Sequence, residues 1–311
     1  MTFRSYWFTW ADNVSRETSK MKDLKHILTA RDHLVTGKTF DVLKNLRTGI
    51  LETHPRPNKQ ELPLYYESKN YTSHNNNNKT DGLLAFCYKQ VKIISTKRKI
   101  KICANSLCAS KKNQKPSLLD VGCGTGDFLY SCYRHGWNVK GIENNSNAKN
   151  NLNPKISKHV FDDFELLKKS PKKFDVITMW HSLEHISDLD KTILEMKNLL
   201  ADQGVIIIAC PNHKSFDAAF YKEFWAAYDL PRHLWHFDKN SIRELFSNYK
   251  IHLKKTLPMY WDSFYISILS EKIVNKKNNY LKGFVIGLMS NLCALFSKEY
   301  SSLIYVLKTK N

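Results

Sequence analysis

The first 86 residues hold no cysteine, and no two cysteines anywhere stand in a CxxC pair. A zinc ribbon is therefore not indicated. The seven cysteines (Cys87, Cys103, Cys108, Cys123, Cys132, Cys210 and Cys293) are odd in number and irregular in spacing. That argues against a disulfide framework and for a reducing, cytoplasmic setting. Acidic side chains are also scarce, 29 Asp and Glu against 48 Lys and Arg, for a net charge of +19. The lysines are scattered and follow no nucleic-acid motif, so the excess reads as solvated surface, and no specific nucleic-acid partner is expected. The opening MTFRSYWFTWADNVSR lacks the apolar core of a signal peptide. One run, YLKGFVIGLMSNLCALFSK at 280–298, approaches membrane hydrophobicity. Lys282, Ser290 and Asn291 interrupt it, so a buried or amphipathic helix is expected rather than a span.

What is present has a clear order. An asparagine run at 73–82 reads as a loop that separates an N-terminal region, 1–80, from a domain at 81–311. Before it, short alternating runs broken by TGK and RTG predict a small strand meander. From residue 117 strand-like runs at 117–121, 138–143, 159–161, 174–180, 204–210 and 250–258 alternate with helical segments such as 127–135 and 189–200. The second of these is expected to end at ADQG. Alternation of this kind predicts an α/β fold, a mostly parallel sheet with helices on both faces, with ligands at the carboxyl ends of the strands.

Glycine is infrequent in the chain, 11 residues, yet Gly122, Gly124 and Gly126 fall within five positions between the first of those strands and a helix. Such a loop lets a ligand approach the backbone. A dinucleotide loop would read GxGxxG and seat a pyrophosphate. Here the pattern is GxGxG beside Asp120 and Asp127, and a carboxylate there repels phosphate but suits an ammonium group. Glu143 lies 17 residues beyond Gly126, close to the roughly 20 expected of an acid that holds ribose hydroxyls. The ligand implied is a nucleoside with a cationic amino-acid tail, which S-adenosylmethionine satisfies.

LLDVGCGTGDFL, VKGIE, FDVITMWHSLEHISD and LLADQGVIIIACPN together resemble the class I S-adenosylmethionine-dependent methyltransferases. Among these the chain is similar to the ubiquinone-biosynthesis O-methyltransferases. THPRP, LPLYYESKNYTSH and YKEFWAAYDLPRHLWHF further resemble a Bacteroidetes-type subgroup whose members often begin with a zinc ribbon. The cysteines of that ribbon are absent here, so no metal is expected in the N-terminal region. The resemblance implies a Rossmann-like seven-stranded sheet and S-adenosylmethionine as cofactor. It places Asp120, Gly122, Cys123, Gly124 and Gly126 in the cofactor loop and Glu143 at the ribose. Asp162 or Asp163 would meet the adenine, with helix capping as the alternative. Trp180 and His181 would line the methionine side, and an N-terminal aromatic segment with Tyr65, Tyr66, Tyr71 and His74 would face the sulfonium. The acceptor would be a small molecule, a glycan or a lipid, with O-methylation favoured. A cofactor-binding protein without catalysis is the alternative. No (D/N)PPY follows the fourth strand, which argues against an amino-methylating DNA enzyme.

HSLEH at 181–185 also matches the HxxEH pattern of inverted zinc proteases. That pattern needs one long helix, whereas here the motif follows a strand directly. Glu184 and His185 are expected to brace a loop, with a divalent cation between them as the alternative. The segment at about 211–238 gathers aromatics and His213, His233 and His236 into one long connection, usually a sign of function. His233 or His236 is the expected base, with His181 the third catalytic candidate. Arg232, Trp235 and Tyr228 are expected to position the acceptor. A second insertion, about 262–298, is expected to bury its apolar faces over the site as a cap. Its alternative is a peripheral membrane contact.

Overall fold

The computed structural model describes residues 23–58, 60–66, 83–108, 114–168, 173–277 and 279–309. Three antiparallel strands come first, β1 (Leu24–Arg31), β2 (Thr39–Asn45) and β3 (Leu51–His54). They are the meander expected from the turn signals. A 3-10 turn at Leu62–Tyr66 and a long helix, α1 (Leu83–Ser106), precede the main sheet.

That sheet starts with β4 (Ser117–Val121), α2 (Asp127–Arg134) and β5 (Asn138–Ile142). Short helices α3 (Ser146–Asn150) and α4 (Pro154–Ser157) lead to β6 (Val160–Phe161), and α5 (Glu165–Lys168) leads to β7 (Phe174–Trp180). Next come α6 (Leu189–Leu199), β8 (Leu200–Pro211), α7 (Phe216–Tyr221), β9 (Trp235–His236), α8 (Lys239–Ser247) and β10 (Ile251–Pro258). A helical hairpin, α9 (Asp262–Asn275) and α10 (Tyr280–Ser297), separates β10 from the last strand, β11 (Ser302–Thr309).

Seven strands form the main sheet in the order β10-β11-β8-β7-β4-β5-β6. β4 to β8 are mutually parallel, and β11 runs antiparallel to both β8 and β10. The fold is thus the expected α/β class. β7 is buried at all seven positions, as a central parallel strand covered on both faces must be. One apolar layer, with Leu119, Ile177, Met179 and Phe246, covers one face. A second, with Leu118, Leu129, Val176 and Ile207, covers the other.

Two findings depart from the sequence reading. ADQG does not end α6 from outside. It lies within β8, whose first residue, Leu200, pairs with Phe174. And the N-terminal meander does not end at β3, because β9 pairs with β3 to complete a four-stranded sheet, β1-β2-β3-β9. The chain's first strands and the long connection after β8 are therefore one structural unit.

Candidate active site

The glycine loop follows β4 and is hung from the end of β5, since the amides of Gly122 and Cys123 both donate to the Ile142 carbonyl at 2.8 and 3.1 Å. Gly122 has φ +73°, and a Cβ there would stand 2.5 Å from the Ser182 Cβ. Gly126 has φ +74°, and its Cβ would meet Ile156 at 2.5 Å. A left-handed backbone and missing space together require glycine at both positions.

Glu143 stands over this loop, largely buried. One carboxylate oxygen accepts from the Gly124 amide and the other from the Asn145 amide, both at 2.8 Å. An ionised carboxylate has about four acceptor positions, so each oxygen keeps capacity for a hydroxyl. Asp120, expected to reach the ligand directly, instead lies inside the sheet and accepts from Thr178 Oγ1 at 2.7 Å. Burial drives its pKa up to about 6 against the pull of Thr178 and Lys99. Burial likewise pushes the Cys123 thiol up, with the Asp120 and Glu143 charges adding to it.

The two aspartates after β6 hold other partners. Asp162 pairs with Lys149, and Asp163 accepts the Leu166 amide at 3.2 Å, the capping role named as its alternative. Tyr71 and His74 lie outside the described residues. Tyr65 is buried against Phe40 rather than facing the site.

Trp180, at the end of β7, is edge-on to Phe128 with centroids 5.3 Å apart, and its buried indole N–H has no partner. The Lys99 ammonium lies 4.6 Å from the same ring. His181 follows in the left-handed region, φ 53°. It is held between two acids, Nδ1 3.5 Å from Glu184 and Nε2 3.0 Å from Asp262. Burial alone would lower its pKa, but Asp262 and then Glu184 raise it to about 9. As an imidazolium it cannot take a proton at neutral pH, which corrects its expected place among the catalytic bases. Asp262 and Lys99 were missed in the sequence, where nothing ties them to a motif so distant along the chain.

Glu184 and His185 occupy a single 3-10 turn, Leu183–His185, so the long helix of a zinc protease is absent. The turn is stitched to the connection after β8. Leu234 N donates to the Glu184 carbonyl at 2.8 Å and Trp235 Nε1 to the Ile186 carbonyl at 2.7 Å. His185 Nδ1 lies 3.0 Å from the Tyr66 hydroxyl and 3.1 Å from the Arg232 carbonyl. His233 Nδ1 donates to the Ala227 carbonyl at 2.8 Å. That tautomer leaves the His233 Nε2 lone pair uncommitted. The Glu184 carboxylate is buried without a hydrogen-bond partner on either oxygen. Burial would raise its pKa, yet His181, His233 and His185 bring it down to about 2. Ligand atoms of Glu184, His185 and His233 lie within 4.8 Å of one another, a set that a divalent cation can occupy.

The remaining expectations for this connection change. Arg232 does not face an acceptor site. It is 1% exposed and binds Asp229 at 2.7 Å, Asp32 at 3.1 Å and the Tyr65 carbonyl at 3.2 Å. It locks the connection to the N-terminal sheet. His236 is also an internal strut, with Nε2 3.1 Å from Thr53 Oγ1 and burial holding its pKa well below the usual value. Tyr228 is buried between Trp225 and His236, each ring centroid 5.2 Å away. Trp235 stacks under the Arg56 guanidinium at 3.6 Å. A crevice bounded by Glu184, His213, Trp225, His233 and Phe237 lies among these groups, closed to a water-sized sphere.

A family model described as a methyltransferase domain matches residues 96–250. A ubiquinone biosynthesis O-methyltransferase of Coxiella burnetii is 30% identical over 117 residues, 36% of this chain and 50% of that protein. One from Pelagibacter ubique is 38% identical over 104 residues, 30% of this chain and 42% of that protein. The chain thus spans about half the length of the curated relatives it matches. Among solved structures, a magnesium protoporphyrin IX methyltransferase of Synechocystis aligns with a TM-score of 0.47 and 13% identity, over 74% of this chain and 90% of that one. With the glycine loop, the acid after β5 and the order of the strands in place, the chain belongs to the class I S-adenosylmethionine-dependent methyltransferases.

Proposed function

We propose that this protein transfers the methyl group of S-adenosylmethionine to an oxygen of an apolar small-molecule, glycan or lipid-type acceptor. The observation that carries the reading is the clasp between the glycine loop and Glu143. Its backbone leaves no room for side chains, and its carboxylate retains acceptor positions for a pair of hydroxyls. The partnerless indole N–H of Trp180 and the ring face of the same residue suit the methionine end. When bound, the cofactor supplies an activated methyl group for in-line displacement.

The chain's own part is to align the acceptor, exclude water and take the hydroxyl proton. Alignment alone can supply on the order of 7–11 kcal/mol of the barrier. For the proton, the arrangement favours His233 over His236. Its Nδ1–H is oriented by a carbonyl and it adjoins the Glu184 carboxylate, which would stabilise the imidazolium formed. The O-methyltransferase activity of the curated relatives favours oxygen as the acceptor atom.

The test is to incubate the purified protein with isotope-labelled S-adenosylmethionine and fractionated cell extracts, following S-adenosylhomocysteine and +14 mass shifts. Labelled product in an apolar fraction supports the reading. Cofactor binding by calorimetry with no turnover on any fraction would instead favour a binding protein without catalysis.

A further inference from the structure

Helix α10 is mostly apolar, broken only by Lys282, Ser290, Asn291 and its end residues, yet it is built inside out. Apart from Ile286, the residues it buries are small: Gly283, Gly287, Ser290 and Ala294 lie along the face turned to α9 and the protein. A Cβ on Gly283 would stand 2.7 Å from the Ile268 Cα, and one on Gly287 2.7 Å from the Phe264 Cα. The two backbones therefore touch through a small-xxx-small stripe. Polar bonds complete the joint. Buried Asp217 accepts from Ser290 at 2.7 Å, Ser301 at 2.6 Å and Trp225 at 2.8 Å. Buried Glu271 accepts from Tyr221 at 3.1 Å and binds Lys282 at 2.9 Å.

The large side chains are left on the opposite side. Leu281 is 77% and Phe296 91% exposed, with Phe284, Leu288, Leu292 and Leu295 in the same outward band. The cap expected of this insertion is thus half present. Its inner face covers α7 and reaches the site through Asp262, while most of its large apolar groups stand outward, Phe284 stacking only on Phe264 of α9. A helix in water normally does the reverse, and small residues inside with large apolar residues outside is the arrangement that lipid favours. By length and composition α10 alone, among the described residues, is apolar enough to cross a membrane, with mean hydropathy 1.4. Its inner face is committed to protein, however, so it is suited to lie in an interface and not to cross.

The charges select the occupant. Lys272, Lys276 and Lys277 are exposed at one end of the hairpin and Lys298 at the other. Every acid between residues 260 and 299 is engaged: Asp262 with His181, Glu271 with Tyr221 and Lys282, Glu299 with Lys239. Trp261, Tyr260, Tyr265 and Tyr280, all partly exposed near the helix ends, are the residue types that settle at headgroup level. A second copy of the chain would bring its own lysines against these, on a molecule already at +19. An anionic bilayer offers both an apolar layer and the opposite charge.

We propose that the outer face of the α9–α10 hairpin docks in the plane of an anionic lipid surface. Docking would set the β7 end of the sheet, tied to α9 through the His181–Asp262 pair, beside the membrane. This surface is assigned from the hairpin alone and stands whether or not methyl transfer is confirmed.

The experiment is vesicle flotation of the full chain with phosphatidylcholine vesicles that contain or lack phosphatidylglycerol, at about 0.15 M salt. Wild-type protein is expected to float with the anionic vesicles. The variant Leu288→Ser/Leu292→Ser/Phe296→Ser is expected to partition about tenfold less or worse, the loss expected when large apolar groups leave lipid. Its melting temperature and cofactor binding should be those of wild type, because all three positions are exposed. Hydrogen exchange on wild-type protein gives a second readout, with residues 280–297 expected to gain protection when anionic vesicles are added. Protein that remains at the bottom of both gradients would overturn the proposal. So would flotation that the triple variant leaves unchanged, or a wild-type dimer in sedimentation velocity that the variant dissolves.

Discussion

Replacing Glu143 tests the cofactor clasp directly. In the folded protein its two carboxylate oxygens accept the Gly124 and Asn145 amides at 2.8 Å, so the side chain both shapes the loop and faces the proposed ribose. Glu143→Ala removes these charge-assisted bonds and the hydroxyl contacts together. Hydrogen bonds to a charged group contribute about 1.5–3 kcal/mol each. Water can replace part of that loss at a loop that opens to ligand, so a net weakening of about 1–3 kcal/mol is expected, roughly 5- to 150-fold in Kd. Glu143→Gln separates the two roles. Its amide can accept one backbone N–H but must turn a donor toward the other, so it should lose fold stability by about 1–2 kcal/mol as well as affinity. Calorimetry with S-adenosylmethionine and S-adenosylhomocysteine reads the first effect, and urea unfolding reads the second. If Glu143→Ala bound both ligands as wild type does, the acid after β5 would have no part in recognition. Tight NAD binding by the wild-type chain would refute the clasp as a whole.

His233→Ala should leave cofactor binding intact and cut turnover by about 10²–10⁴, as removal of a general base does, whereas His236→Ala should chiefly lower stability; equal turnover in wild type and His233→Ala would dismiss the base. Asp217→Ala strands the donors of Ser290, Ser301 and Trp225, and urea unfolding should show a loss of about 3–5 kcal/mol; a loss below about 1 kcal/mol would mean the joint rests on packing alone. The His181 pKa is raised from 6.5 to about 9, so its contribution to stability is complete below 6.5 and is lost as pH rises through about 9. Urea midpoints measured across that window should fall for wild type and stay flatter for His181→Gln, and parallel profiles would count against the paired imidazolium. Finally, DNA or RNA binding should be weak, without sequence preference and readily lost to salt, and a sequence-specific complex at physiological salt would show otherwise.

The parallel strands and the glycine loop could be read from the sequence because their signals are local. β4 and β7 are covered on both faces and read as mainly apolar runs, interrupted by Asp120 in the first and by Asp175 and Thr178 in the second, and Gly122 and Gly126 are required by their own backbone angles and neighbours. Glu143 was found by its spacing along the chain. What escaped depends on partners far away in sequence. ADQG has the composition of a turn, yet Leu200 is drawn into β8 by pairing with Phe174. Arg232 has the chemistry of a substrate anchor, but Asp32 and the Tyr65 carbonyl come to it from the first strands and the turn after them. In α10, apolar composition said only that the helix avoids water. The spacing of Gly283, Gly287, Ser290 and Ala294 holds the further fact of which side is inner, and it is visible only once small residues are counted as an interface.

The pairing of β3 with β9 has a consequence for synthesis. β3 leaves the ribosome early, but the Thr53 hydroxyl waits for the His233 carbonyl, 180 residues further on. At about 5–20 residues per second that interval is roughly 10–40 s. Throughout it the four residues Leu51–His54 present an unpaired strand edge while the large sheet is still being made. Brevity limits the danger, since an edge of four residues offers few bonds to another nascent chain. The same delay means that the connection bearing His233 is made onto N-terminal strands that already exist to receive it.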